Sequence, residues 1–208
     1  MAFKNTALIA ACTTISTMFL AVIASYAVIR LRFRFNRRIF VSVFLTQFVP
    51  PFVIIIPLYF VMNGLKLLGT YQGVIFAQMT FALPYAIWLL YGYFVTFPYE
   101  LEEAAWIDGC SRLQAIIKII LPLSGPGLIA TGIFVFVGAW NDLLYTLIIG
   151  AGRIKTIPVK LAEYIGEARI VYELMFPAAV ISTIPILLVG LIFQKYIVKG
   201  IAEGALRT

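Results

Sequence analysis

Few side chains in this chain of 208 residues can do chemistry, and they fall in two places. The first is a water-seeking stretch between Pro98 and Pro122 that holds Glu100, Glu102, Glu103 and Asp108, four of the nine acids. Within it, Glu103-Ala104-Ala105 is followed after three residues by Gly109, after nine more by Ile119, and after one more by Leu121-Pro122. The second is a scatter of polar residues inside long apolar runs: Tyr59 and Asn63 one helical turn apart, Gln78, and Trp140-Asn141-Asp142. Such groups offer hydrogen bonds and docking contacts. The chain has no histidine, the commonest metal ligand and a frequent general base. Cys12 sits in an apolar run and Cys110 in a loop, so they imply no disulfide framework. No Gly-x-x-x-x-Gly-Lys-Ser/Thr loop is present to cradle a nucleotide. The expectation is a non-enzyme with no catalytic residue, metal site or cofactor of its own.

The elements that must position these residues follow from composition. With 62% hydrophobic and 12% charged residues, the chain is far from the roughly 25% charge of soluble proteins. Its apolar runs approach the roughly 20 residues that a helix needs to cross a bilayer. Backbone groups in lipid must pair internally, so these runs are read as helices, and the short alternating segments of a β-barrel are absent. The fold class is therefore an all-α integral membrane protein in one domain, with five spans at about 6–29, 39–62, 71–97, 127–149 and 174–198 and a loop at about 98–122.

Charge placement sets the expected orientation. The net charge of +7 comes with Arg30, Arg32, Arg34, Arg37 and Arg38 directly after the first span, where basic residues fix topology, so nucleic acid is not an expected partner. Placing that cluster inside puts the Glu103 loop and the C-terminus inside as well. The inner side then holds Arg30, Arg32, Arg34, Arg37, Arg38, Arg112, Lys118, Lys195, Lys199 and Arg207. The outer side holds Lys4, Lys66, Arg153, Lys155, Lys160 and Arg169, fewer, as the positive-inside bias expects. Five spans leave the N-terminus outside with almost no hydrophilic leader, which suggests a preceding helix.

The loop itself reads as two short helices. Pro98 suits a helix entry, and Glu100, Glu102 and Glu103 complement the positive end of the helix dipole. Ala104 and Ala105 would give a small flat surface for another chain. Gly109 stands where a helix ends in a left-handed residue, and Ser111 with Gln114 forms a Ser-x-x-Gln capping box for the next. The result is a projecting elbow.

This pattern resembles the "EAA" loop of permease subunits of ATP-binding-cassette (ABC) importers, and its spacing agrees throughout. Other stretches resemble the carbohydrate-uptake branch, the maltose-type second permease subunit: Lys4-Asn5-Thr6, Ser25-Tyr26-Ala27 running into Arg30-Leu31-Arg32-Phe33-Arg34, Phe81 to Trp88, Gly138 to Asp142, and Tyr196 to Gly200. The resemblance implies a type I importer permease with a core of six helices, the first apparently missing here. It implies a coupling helix at about Tyr99 to Ser111, in which Glu103, Ala104, Ala105, Asp108 and Gly109 contact a separate ATPase. The implied partners are two ATPase copies that bind the ATP, a second homologous permease, an extracytoplasmic solute-binding protein, a carbohydrate and the lipid of a prokaryotic cytoplasmic membrane.

The solute end is less legible. Pro50, Pro51, Pro57, Pro84, Pro177 and Pro185 free carbonyls that either line a pathway or are repaired by neighbouring helices. Tyr59, Asn63, Gln78, Trp140, Asn141 and Asp142 are candidate pathway residues, with interhelical packing as the equal alternative. Asp142, the only acid in an expected span, should face the bundle interior. Pro158 to Glu167 reads as a short amphipathic helix with Val159, Ala162 and Ile165 or Gly166 towards one side, near a docked binding protein by resemblance. A secondary, ion-coupled carrier is the rival function, since such carriers also use broken helices.

Overall fold

The computed structural model describes residues 1–31, 36–165 and 172–205, with backbone alone at 36–37 and 197–205. Arg32, Arg34, Arg37, Arg169, Lys199 and Arg207, the tail beyond Tyr196 and the loop end from Gly166 were part of the reading above and lie outside the described residues or side chains. In chain order the helices are α1 (Ala2–Arg30), α2 (Asn36–Leu45), α3 (Pro51–Gly64), α4 (Tyr71–Phe94), α5 (Glu100–Ile107) and α6 (Arg112–Ala115). They continue with α7 (Leu121–Leu123), α8 (Gly125–Trp140), α9 (Leu144–Ile149), α10 (Ile157–Glu163) and α11 (Tyr172–Ala205). A π-helical turn, Ile116–Ile120, links α6 to α7 ahead of Pro122, a residue that has no N–H to give a regular helix.

Helix α1 is the centre, packed along both α4 and α8. Its buried residues are Thr6, Ile9, Ala10, Thr13, Thr17, Ala21 and Ser25; all but Ile9 are small, and these recur every three or four residues. Small residues at that spacing let helix backbones approach closely in a membrane, where burial of apolar surface from water supplies no drive between helices. Two of the hydroxyls cost little because they turn back on their own helix: Thr6 donates to the Ala2 carbonyl at 2.9 Å, and Ser25 to that of Ala21. All three apolar clusters include an α1 residue: Ile9 beside Val74 and Ile149, Ala10 beside Trp140, and Ala21 beside Leu90 and Ile120.

Two expected spans are not single helices. The run from Ile39 to Met62 breaks at Pro50-Pro51, where its two halves meet at 105°. A residue before proline is pushed out of the helical region, and here two in a row are: Val49 has ψ 121° and Pro50 ψ 137°. The run from Gly127 to Ile149 is divided into α8 and α9, with Asn141 to Leu143 between them. The segment Arg112–Leu123 also meets α8 at 78°, with Pro126 in the first turn of α8. By contrast Pro57, Pro84, Pro177 and Pro185 stay inside helices. Close to Pro84, the Gln47 amide donates to the Phe81 carbonyl at 3.0 Å.

Among the described residues, three helices are long and apolar enough to cross a membrane: Ala2–Arg30, Tyr71–Phe94 and Tyr172–Tyr196. Counting each bent pair as one span raises this to five.

The turn into α4 generates a stability prediction. A Cβ on Gly73 would lie 2.2 Å from the Leu67 carbonyl oxygen, whereas one on Gly64 would meet nothing within 4 Å. Gly73→Ala should destabilise the detergent-solubilised protein by about 1–3 kcal/mol, read as a lowered thermal midpoint. Gly64→Ala should leave that midpoint unchanged or raised.

Candidate functional site

The Glu103 segment folds as a rigid elbow. Helix α5 starts at Glu100, two residues after Pro98, and ends before Gly109, whose φ of 84° suits a residue without a Cβ. The Cys110 amide donates back to the Ala105 carbonyl at 2.9 Å and the Gly109 amide to that of Trp106 at 3.0 Å, which uses up two carbonyls at the helix end. Helix α6 then starts on the capping box expected from Ser111 and Gln114. The Gln114 amide donates to Ser111 Oγ at 3.3 Å, and Ser111 N donates to Gln114 Oε1 at 2.8 Å. Arg112 lies 5.4 Å over the Trp106 ring, which stands edge-on to Tyr99, so the two arms of the elbow are also braced by side chains.

The faces of α5 differ from the expectation at one point. Glu103, Ala104, Ile107, Asp108 and Gly109 are exposed, but Ala105 is buried at 3% exposure. At about 100° per residue, positions 102 and 105 share one face and 103, 104 and 107 another. The flat surface offered outwards is therefore Ala104 alone, and Ala105 is small because α5 lies against its own bundle.

Glu102, expected from the sequence only to complement the helix dipole, lies on that inner face. It is fully buried, with Oε1 2.5 Å from Arg30 Nε and Oε2 accepting from the Tyr26 hydroxyl at 2.6 Å. Arg30 also donates to the Phe97 carbonyl at 2.9 Å and stacks 5.4 Å over Tyr99. Arg30, read from the sequence as an orientation marker, is also a structural ligand of the elbow, its side chain only 12% exposed. The spacing of Tyr26 and Arg30, four apart at the end of α1 with the acids downstream, was the available signal.

The second group of polar residues meets between α1, α4 and α9. Thr13 donates to Gln78 Oε1 at 3.0 Å, and Gln78 Nε2 donates to Asp142 Oδ2 at 3.0 Å. Asp142 in turn caps α9, accepting from Tyr145 N at 3.2 Å, from Thr146 N at 2.9 Å and from the Thr146 hydroxyl at 2.8 Å. At the Asn141–Leu143 break Asp142, one residue before the N-cap Leu143, thus takes two first-turn amides of α9 in the manner of a capping side chain. Thr13, Gln78, Asp142 and Tyr145 line a cavity of about 260 Å³ together with Phe81, Tyr85 and Phe134.

The other candidates lie elsewhere. Tyr59 and Asn63 are exposed on α3, away from the lining of this cavity. Trp140 faces α11, where its indole N–H donates to the Ser182 carbonyl at 3.2 Å, and the Asn141 amide donates to the Val137 carbonyl at 3.0 Å. Thr13 and Thr146 belong to the network and were not anticipated.

At the end of the bundle opposite the elbow, Pro158 lies in the first turn of α10, and Val159 is buried while Ile165 is exposed. This segment is fastened to the start of α1. Asn5 Nδ2 donates to the Lys155 carbonyl at 3.0 Å, and Ile157 N donates to the Thr6 hydroxyl at 2.9 Å. Hydrogen bonds from Lys155 and Lys160 hold the Glu163 carboxyl below its ordinary range, and the bond to Glu163 holds Lys160 above its own.

The described residues thus form a bundle of helices apolar enough to cross a membrane, with a polar network around Gln78 and Asp142 and a capped elbow at one end, and the comparisons with known proteins give its class as a membrane permease. Residues 8–203 match the binding-protein-dependent transport system inner membrane component, and the chain belongs to that family. It is 37% identical over 206 residues to the trehalose/maltose transport system permease protein MalG of Thermococcus litoralis, covering 98% of this chain and 74% of that one. It is also 37% identical to the trehalose transport system permease protein SugB of Mycobacterium tuberculosis, covering 94% and 72%. Among solved structures the fold is similar to the inward-facing MetNI methionine ABC transporter, with TM-score 0.77, 15% identity and 96% and 94% coverage. It is similar as well to a bacterial ABC transporter involved in import of the acidic polysaccharide alginate, with TM-score 0.77, 23% identity and 94% and 74% coverage.

The capping role of Asp142 is separable from its charge. Asp142→Ala should destabilise the protein by about 1–2 kcal/mol, whereas Asn, an equally good N-cap residue, should cost less than half of that. Thermal unfolding of the two variants in the same detergent checks the difference.

Proposed function

We propose that this chain is the transmembrane permease subunit of an ATP-driven importer that moves a sugar or oligosaccharide across a prokaryotic cytoplasmic membrane. In this reading it pairs with a second, homologous permease, docks two ATPase copies that bind the ATP, and receives solute from an extracytoplasmic binding protein. Each bent helix pair counts as one span, giving five, with the elbow and the C-terminus cytoplasmic. Glu103, Ala104, Asp108 and Gly109, with Ile107 beside them, form the ATPase-docking face, and Ala105 sets how closely α5 lies on the bundle.

The observation that carries this is the elbow. Two helices joined through a left-handed glycine and fixed by a capping box present an exposed face of acidic, small and apolar residues, with Ile107 87% exposed. An exposed isoleucine among acids on a rigid support suits a protein partner better than lipid or water. The Gln78–Asp142 cavity supports a neutral, hydroxyl-rich solute, since it combines polar groups with the rings of Phe81, Tyr85 and Phe134. The names of the sugar-transport relatives point the same way.

The test is reconstitution with the cognate second permease, ATPase and binding protein in liposomes, followed by uptake of labelled trehalose or maltose. Uptake should require internal ATP and binding protein; uptake driven by an ion gradient alone would establish the secondary carrier instead. Gly109→Val, which forces a β-branched residue into a left-handed conformation, should lower transport by about tenfold or more while membrane insertion survives. Wild-type transport by that variant would refute the elbow as the coupling element.

A further inference from the structure

The segment between α4 and α5 is gripped by one residue of α1. Arg30 reaches the Phe97 carbonyl at 2.9 Å, the Tyr99 ring at 5.4 Å and the buried Glu102 carboxylate at 2.5 Å. The second oxygen of Glu102 is taken by Tyr26, one turn earlier on the same helix, at 2.6 Å. A surface ion pair is loose because water competes for both partners. This one is not exposed to that competition, since Glu102 is fully buried and the Arg30 side chain is 12% exposed.

We propose that Arg30, Glu102 and Tyr26 are positioning residues for coupling: they fasten the elbow to α1, so that a force applied to α5 moves α1 as one body instead of bending the linker at residues 95–99. The inference rests on the proposed function and names the joint through which it works. Helix α1 has the connections such a strut requires. Thr13, near its middle, bonds Gln78 and through it Asp142. Asn5 and Thr6, at its far end, bond the 155–157 segment. Displacement of α1 at the elbow is thereby delivered to the polar cavity and to the opposite end of the bundle.

The measurement is sugar moved per ATP hydrolysed by the reconstituted complex. This ratio discriminates because a merely structural defect reduces folded complexes, and so lowers uptake and hydrolysis together. Glu102→Gln and Arg30→Gln should still assemble with the ATPase and hydrolyse ATP, but the ratio should fall about tenfold, within the usual range of coupling between sites. The exchange Arg30→Glu with Glu102→Arg should recover a substantial part of it. Tyr26→Phe, which removes one hydrogen bond and leaves the ion pair, should lower the ratio about fivefold and decides the matter should the charge variants not insert. Variants that keep the wild-type ratio would overturn the joint alone. A wild-type complex without ATP-dependent uptake would overturn the proposed function and the joint with it.

Discussion

The structure depends on how closely α4 and α8 can approach α1. Helices in lipid gain little from hiding apolar side chains from one another, so what holds them is dispersion between well-fitted surfaces and a few hydrogen bonds. The fully buried stripe of Thr6, Ala10, Thr13, Thr17, Ala21 and Ser25 supplies both. Its side chains are short enough for tight packing, and two of its four hydroxyls, Thr6 and Ser25, donate back to the helix itself. Only two of them leave that helix as hydrogen bonds of ordinary length, Thr13 to Gln78 and Thr6 accepting from Ile157. A third, Ser25, reaches the Ile87 carbonyl at 3.5 Å, a long contact. Because the approach is close, polar groups on the neighbouring helices fall within reach, and the Gln78–Asp142–Thr146 network follows from it.

The breaks in the helices are as informative as the helices. At Pro50-Pro51 a backbone restriction turns the chain, and no side chain is needed. At Asn141 to Leu143 a carboxylate makes the turn by taking over two amides that would otherwise lack partners. The first kind fixes direction whatever its surroundings. The second works only while Asp142 stays bonded, which ties the geometry of α9 to Gln78 on α4. An acid inside an apolar bundle is costly unless paired, and these four contacts are the pairing.

How much could be read beforehand varied with the range of the interaction involved. The capping box at Ser111 and Gln114 and the left-handed Gly109 are local, and residue identity within five positions determines both. The helical class follows from composition. The breaks inside the second and fourth apolar runs were not legible because hydropathy counts residues and is blind to a ψ angle or a side-chain cap. Trp140, Asn141 and Asp142 are adjacent in sequence yet face three different partners, since each residue turns the helix by about 100° and the helix stops between them. The role of Arg30 was hidden for a different reason. It bonds Glu102, which is 72 positions away, and a cluster of five arginines after a span looks like a topology signal whether or not one of them is buried.

The same rotation explains why two neighbouring glutamates in the elbow cannot exchange roles. Glu102 points into the bundle, where removing its partner would strand a buried charge at a cost of about 3–5 kcal/mol. Glu103, one residue on, stands in water and costs nothing to keep. The alanines divide likewise: Ala105 is small because α5 must lie close enough for Glu102 to reach Arg30, and Ala104 is small on the side left open. A larger residue at 105 would lift α5 from the bundle and lengthen the ion pair, while the same change at 104 would point away from the bundle. Within Glu-Glu-Ala-Ala the outer pair, Glu102 and Ala105, therefore holds the helix to its own chain, while the inner pair, Glu103 and Ala104, stands on the exposed face.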